Sequence, residues 1–192
     1  MYNKVLIKSN YFSNEWCDWV ESVVADQQAR VGGKPDVTKS LRRCLVKTVS
    51  KTHKSYNEMF NACMKVVNDN INYFDIDIDQ RIEKDTFQHI SYEKDHFLNS
   101  HFDTLTEADP TADPKYNRKL SGIIMLSNRE DYTGGNFSFG YGASQRHDPT
   151  KDEIVGRGTV ALFTSYTKHK VQPVLSGKRT ILLFWVLGPQ WR

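Results

Sequence analysis

From Thr86 onward the chain reads as a series of β-type runs: TFQHISY (86–92), HFLNSHFD (96–103), LSGIIMLS (120–127), GNFSFGY (135–141), GTVALFTSY (158–166) and RTILLFWVL (179–187). Polar or glycine-containing turns separate them, and no helical period interrupts them. Short strands without intervening helices favour an antiparallel sandwich or barrel, with a jelly roll as the leading architecture. The mouth of such a barrel is a place where inward side chains converge on a ligand.

Working outward, the first half reads as helical support. After a strand candidate at Val5 to Ile7, Ser13 can cap a helix whose apolar residues Trp16, Trp19, Val20, Val23 and Val24 recur at helical spacing, with Gly32 and Gly33 as its end. A second helix is expected from a capping box, Ser55 with Glu58, through Met59, Phe60, Cys63, Val66 and Val67. Both stripes face a core, and their natural place is against a sheet. The expected class is α+β, mainly β, with residues 1–85 as helical support and 86–192 as the core carrying the site.

The length of 192 residues suits one domain, since no Pro/Gly/Ser-rich linker or low-complexity tract divides the chain. A net charge of +3 is too small to imply a nucleic-acid partner. Charge is uneven, however: seven Lys/Arg fall between Lys34 and Lys54, and five Asp with one Glu lie between Asp69 and Asp85. This predicts a solvated surface with patches of both signs. Three cysteines, Cys17, Cys44 and Cys63, lack paired spacing and read as reduced thiols rather than a disulfide framework or zinc knuckle. The stretch MYNKVLIKSNYF is too polar for a signal peptide, and no run of apolar residues is long enough to span a membrane, so a cytoplasmic protein is expected.

Chemistry concentrates in four residues. His101 and Asp103 stand as His-x-Asp, and residues i and i+2 of a strand leave the same face, so one imidazole and one carboxylate reach a single point. His169 in TKHKVQPV completes a set of two imidazoles and one carboxylate, which leaves the opposite face of a metal open, as in non-haem Fe(II) oxygenases. A lone His-x-Asp carries little weight, since about 0.7 chance matches are expected for this composition. Its context carries more. The loop Thr104 to Arg118, polar and with Pro110 and Pro114, follows directly and could fold over the site as a lid; the segment Gly140 to Asp152, with a solvated His147, is its expected neighbour at the mouth.

Arg179 lies ten residues after His169, across the turn SGK, so the two are expected on neighbouring antiparallel strands facing one pocket. A guanidinium donates two parallel hydrogen bonds to a carboxylate while a metal chelates the keto acid at the other end of a small dicarboxylate. That is how 2-oxoglutarate would be held. Alternation puts Arg179, Ile181, Leu183 and Trp185 on one face, and Thr180, Leu182 and Phe184 on the other.

The order YEKDHFLNSHFDT, LSGIIMLSNREDYTGGNFSFG and GRGTVALFTSYTKHKVQPVLSGKRTILLFW resembles the 2-oxoglutarate- and Fe(II)-dependent oxygenases of the prolyl 4-hydroxylase type, over roughly residues 86 to 187. The resemblance implies a double-stranded β-helix fold and Fe(II) on His101, Asp103 and His169. It also implies that Tyr92 hydrogen-bonds the distal carboxylate of 2-oxoglutarate beside Arg179, that Trp185 lines the pocket, and that O2 is co-substrate with ascorbate as reductant. The implied reaction is oxidative decarboxylation to succinate and carbon dioxide coupled to hydroxylation of a C–H bond. A prolyl side chain in a peptide or protein is the substrate this layout suggests. The alternatives are a free amino acid or other small molecule, and a non-catalytic metal-binding module, for which a fourth protein ligand would speak. A nucleic-acid demethylase is disfavoured, because that branch carries a second arginine where this chain has Trp185.

Overall fold

The computed structural model of the chain describes residues 4–32, 41–106, 112–140 and 153–191. Its first helix, α1 (Asn14–Val24), starts where Ser13 accepts the Trp16 backbone N–H at 3.2 Å, satisfying one of the donors a helix start leaves open. It stops at Val24, well before Gly32, and residue 33 lies outside the described residues. The reason is an ammonium cap: Lys47 Nζ donates to the carbonyls of Val24 and Ala25 at 2.8 and 3.1 Å, just where the apolar stripe of Cys17, Val20 and Val24 gives out. The second helix, α2 (Tyr56–Asn68), begins as expected, but the capping box does not form. Ser55 sits in helical φ/ψ without a side-chain cap bond, and its N–H donates to His53 Nδ1 at 3.1 Å, which takes the donor Glu58 would have bonded. A single turn, α3 (Ile71–Phe74), follows.

Thirteen strands are formed among the described residues. They are β1 (Val5–Lys8), β2 (Arg30–Val31), β3 (Arg42–Arg43), β4 (Leu45–Ser50), β5 (Thr86–Tyr92), β6 (Phe97–His101) and β7 (Tyr116–Met125). Then come β8 (Tyr132–Gly134), β9 (Phe137–Gly140), β10 (Val160–Thr164), β11 (Lys168–Val171), β12 (Val174–Gly177) and β13 (Arg179–Pro189). A seven-stranded sheet runs β1-β10-β7-β13-β5-β4-β2, a four-stranded sheet β3-β6-β11-β9, and β12 pairs with β8. Every pairing is antiparallel, and the layout is the double-stranded β-helix.

Two cores separate across the seven-stranded sheet, as the alternation of β13 requires. Leu182, Phe184 and Val186 join Val20, Val24, Met59, Cys63, Val66 and Val67 of the helices. Ile181, Leu183 and Trp185 join Ile123, Phe137, Phe163 and Val171 on the other face, between the sheets. The helix-side packing is close enough that Gly122 of β7 lies against the Phe184 ring, where a Cβ would overlap it. All three cysteines are free and buried, in line with reduced core thiols.

Candidate active site

Pairing of β6 with β11 sets His101 directly opposite His169. Asp103 is not on the same strand: β6 ends at His101, and the backbone N–H groups of Asp103 and Thr104 turn to the carbonyl of Ser165 at 2.8 and 3.0 Å. The turn still brings the carboxylate in. Its Oδ1 lies 3.2 Å from His101 Nε2 and its Oδ2 3.5 Å from His169 Nε2, and the three ligand atoms fall within 4.8 Å of one another. Among the described residues no other such cluster forms, and no fourth side chain joins this one.

The outer contacts fix what these atoms offer. Nδ1 of His101 faces the Asn99 carbonyl and Nδ1 of His169 the Thr167 carbonyl, each at 3.0 Å, contacts that suit an Nδ1–H and turn each Nε2 inward, where it would present a lone pair once a metal displaced the His101 Nε2–Asp103 hydrogen bond. Two lone pairs and a carboxylate thus point at one spot. Acceptors converging in this way fit a cation between them. Burial alone would raise the Asp103 carboxyl, but His169, a hydrogen bond from His101 and the Ser121 hydroxyl at 2.7 Å hold it far below the usual carboxylate range. Burial pushes the His169 imidazole down, which favours the neutral form a metal ligand needs. Its ring stacks on Phe137 at 5.6 Å and meets Phe163 edge-on at 4.8 Å.

Arg179 is fully buried, yet its Nη2 finds only Met125 Sδ at 3.3 Å, and its Nε and Nη1 have no partner. A guanidinium cannot shed its charge, and a buried unpaired charge is costly, so the site fits an anion such as the distal carboxylate of 2-oxoglutarate. Gly135 packs closely beside it: the residue sits at φ 62°, and a Cβ there would come within 2.8 Å of Val174 Cγ2 and 3.4 Å of Arg179 Cδ. Tyr92, the register partner of Arg179, is pushed well up by burial and remains a phenol able to donate. Trp185 lines the pocket that holds the two histidines, along with Ile90, Tyr92, Ile123 and Leu183, and its Nε1 also lacks a partner.

One expectation is corrected. Arg179 and His169 are not on neighbouring strands: β13 belongs to the seven-stranded sheet and β11 to the four-stranded one. The nine intervening residues contain β12, which pairs with β8, and this excursion carries the chain from one sheet to the other. The expected loop also ends sooner, since β7 starts at Tyr116 and Arg118 is a strand residue. At both ends it is tied down. Asn117 accepts from and donates to Leu105 at 2.9 and 3.0 Å, and Thr104 accepts Trp191 Nε1 at 3.1 Å. Residues 107–111, and 141–152 with residue 147, lie outside the described residues.

Sequence reading missed Ser121 and Arg118. Ser121 was visible as a polar residue in the apolar run LSGIIMLS, on the face of Ile123. Arg118 donates through Nη1 to the Asp103 carbonyl at 3.0 Å, binds Glu83 through Nε and Nη2 at 2.7 and 2.6 Å, and lies 3.9 Å over the Trp185 ring. It therefore braces both the candidate metal centre and the pocket wall.

Over residues 87–187, more than half of the chain, the sequence matches the family model of the 2OG-Fe(II) oxygenase superfamily, and the chain belongs to that superfamily. A stretch of 69 residues is 36% identical to a PKHD-type hydroxylase of Synechococcus sp. (strain CC9605), covering 36% of this chain but only 29% of that relative. The fold is similar to that of a Pseudomonas putida prolyl-4-hydroxylase, with a TM-score of 0.69 at 13% identity over 96% of this chain and 92% of that one. It is also similar to a viral collagen prolyl hydroxylase of Paramecium Bursaria Chlorella virus-1 in complex with 2-oxoglutarate, with a TM-score of 0.68 at 17% identity over 96% of both chains.

Proposed function

We propose that the chain is a 2-oxoglutarate- and Fe(II)-dependent dioxygenase that hydroxylates an unactivated C–H bond, and that its substrate is a prolyl residue in a peptide or protein. The observation that carries this is the pairing of two unmet demands: three converging acceptors at His101, Asp103 and His169, and a buried guanidinium with two unpartnered nitrogens at Arg179. The first would hold Fe(II). The second, with Tyr92, would hold the distal carboxylate of 2-oxoglutarate, and Trp185 would form part of the wall.

When bound, Fe(II) with 2-oxoglutarate and O2 supplies the oxidising power for C–H hydroxylation, with succinate and carbon dioxide as co-products. The chain's own residues position and shield. Arg179 fixes one end of the co-substrate by a planar two-donor fork, which a lysine cannot reproduce. Ser121 and Arg118 hold the Asp103 carboxylate and backbone in place, and the apolar lining of Ile90, Ile123, Ile181 and Leu183 keeps water from the reacting centre. Three protein ligands leave coordination positions open, which favours turnover over a closed structural site.

The prolyl assignment is supported by the likeness of the fold to two prolyl hydroxylases. The test is to incubate the protein with Fe(II), 2-oxoglutarate, ascorbate and a panel of proline peptides, free amino acids and methylated oligonucleotides, following succinate and substrate mass. Succinate together with one oxygen added to a proline peptide is expected. Oxygen in a free amino acid or nucleobase, with the peptides untouched, would overturn the substrate; no iron binding and no succinate with any of them would overturn the class.

A further inference from the structure

We propose that Arg42 receives a carboxylate of the substrate, so that the pocket selects molecules with an anionic group near the carbon that reacts. This rests on the dioxygenase reading of the same pocket, though not on the prolyl assignment. Arg42 belongs to β3, the edge strand of the smaller sheet, where its register partner is Leu98 of β6. Leu98 is in turn paired with Val171 of β11, and register partners send their side chains to the same face of a sheet. All three line the pocket that holds His101, Asp103 and His169. From Leu98 to His101 is about 10 Å of strand, so an amino acid or a short peptide segment spans from Arg42 to the metal ligands.

The side chain lies against Gly32, where a Cβ would stand 3.4 Å from Arg42 Nε. Tyr92 feels it from the opposite wall: burial pushes the phenol up, whereas the charges of Arg179 and Arg42 both act to bring it down. The balance of charge decides what Arg42 is for. Fe(II), the Asp103 carboxylate, the Arg179 guanidinium and doubly charged 2-oxoglutarate are together neutral, so the site as proposed is balanced without Arg42. Among the described residues no carboxylate pairs with Arg42, and Asp103 is the only acidic side chain in the pocket wall. One cation is left over, and one further anion restores the balance. Exposure separates the tasks of the two arginines. Arg179 is fully buried and suits a co-substrate sealed inside; Arg42 is only half-buried and can meet a molecule arriving from solvent. An acidic side chain beside the reacting residue and the C-terminus of a peptide or amino acid offer Arg42 the same chemistry, a planar carboxylate for a planar fork.

The test is an NMR titration of the protein loaded with Zn(II) and 2-oxoglutarate, using matched probes that differ only in charge: N-acetylproline against N-acetylprolinamide, N-acetylglycine against N-acetylglycinamide, and acetyl-Glu-Pro-Ala-amide against its Gln counterpart. In at least one pair the carboxylate should bind about tenfold tighter or more, the scale of one charge-assisted hydrogen bond, with saturable shifts of the Gly32 and Leu98 backbone signals. A preference confined to the acetylated amino acids assigns the carboxylate to a terminus, and one confined to the Glu peptide assigns it to a side chain. Arg42→Gln should abolish the preference while Zn(II) and 2-oxoglutarate affinities stay as they are, and Arg42→Lys should keep part of it. Equal binding within every pair, or a preference that survives in Arg42→Gln, would overturn the proposal. So would a loss of 2-oxoglutarate affinity in Arg42→Gln as large as in Arg179→Ala, which would place Arg42 on the co-substrate instead. Should Arg42→Gln not fold, Arg42→Lys and the paired probes on the parent protein decide. Uptake of 2-oxoglutarate by the Zn(II) protein is measured first: uptake without a carboxylate preference sinks the subsite alone, whereas no uptake sinks the dioxygenase reading and the subsite with it.

Discussion

The two faces of the seven-stranded sheet are built from the same strands and answer opposite demands. On the helix side, Leu182, Phe184 and Val186 fill a closed core, and Glu21 of α1 takes His89 Nε2 at 3.0 Å and the Thr180 hydroxyl at 3.2 Å. On the side facing the smaller sheet, Arg179 Nε and Nη1 and Trp185 Nε1 are buried without partners. The helix face leaves only neutral atoms open, Tyr56 Oη and His89 Nδ1 among them, whereas the other buries an unpartnered cation and is complete only with something added. Buried polar groups left open at such expense mark the places where a sequence serves a ligand rather than its own fold.

Asp103→Ala should have the largest functional effect, removing metal binding and succinate formation together, while the metal-free protein loses only the modest stability carried by the Ser121 and His101 hydrogen bonds to the carboxylate. Calorimetry and metal titration on one preparation check both halves; a large loss of metal-free stability would move Asp103 to the structural side of the comparison. Phe184→Ala is its counterpart on the other face. It should cost about 3–5 kcal/mol of unfolding free energy in denaturant titration. Metal affinity of the folded protein should not change.

Arg179→Ala comes next. Two charge-assisted hydrogen bonds are each worth about 1.5 kcal/mol or more, so the apparent 2-oxoglutarate affinity should fall at least about a hundredfold, with metal affinity nearly intact. Arg179→Lys should recover only part, and the exposed Lys178→Ala none of the defect. A co-substrate defect in Lys178→Ala would shift the reading of β13 by one residue. Smaller again, Ser121→Ala removes the 2.7 Å hydrogen bond to Asp103 Oδ2 and should weaken metal binding about 10–100-fold, as read by competition with a chelator.

How much of this was legible in the sequence follows the same division. The alternation of RTILLFWVL assigned Ile181, Leu183 and Trp185 to one face and Leu182 and Phe184 to the other, because a period of two is a local property. His101, Asp103 and His169 could be grouped by residue type. Their frame could not: that Asp103 leaves β6 for a turn held by Ser165, and that β12 carries the chain between sheets, depends on pairings distant in sequence. The Glu83–Arg118–Asp103 chain spans 35 residues between its first two members and has no periodic signature at all. Even the local capping box at Ser55 failed, because a histidine two residues earlier competed for the same N–H.

The weakest expected effect lies on the helix face and concerns pH. Burial tends to raise the Glu21 carboxyl, but the hydrogen bond and charge of His89, with help from Thr180, bring it below its ordinary value of 4.5. A carboxyl lowered in the folded state stabilises above its unfolded value and loses that contribution as pH falls through the folded one. Glu21→Gln should therefore be less stable than the parent at neutral pH, and the gap should close on acidification below about pH 4.5, the ordinary value. Because the Glu21 side chain is 36% exposed, solvent screening limits the gap to under about 1 kcal/mol. Denaturant midpoints measured at neutral and acidic pH check it. A gap that widens on acidification would mean that the carboxylate repels its surroundings instead of anchoring α1 to the sheet, and the helix face would then hold an unmet charge of its own.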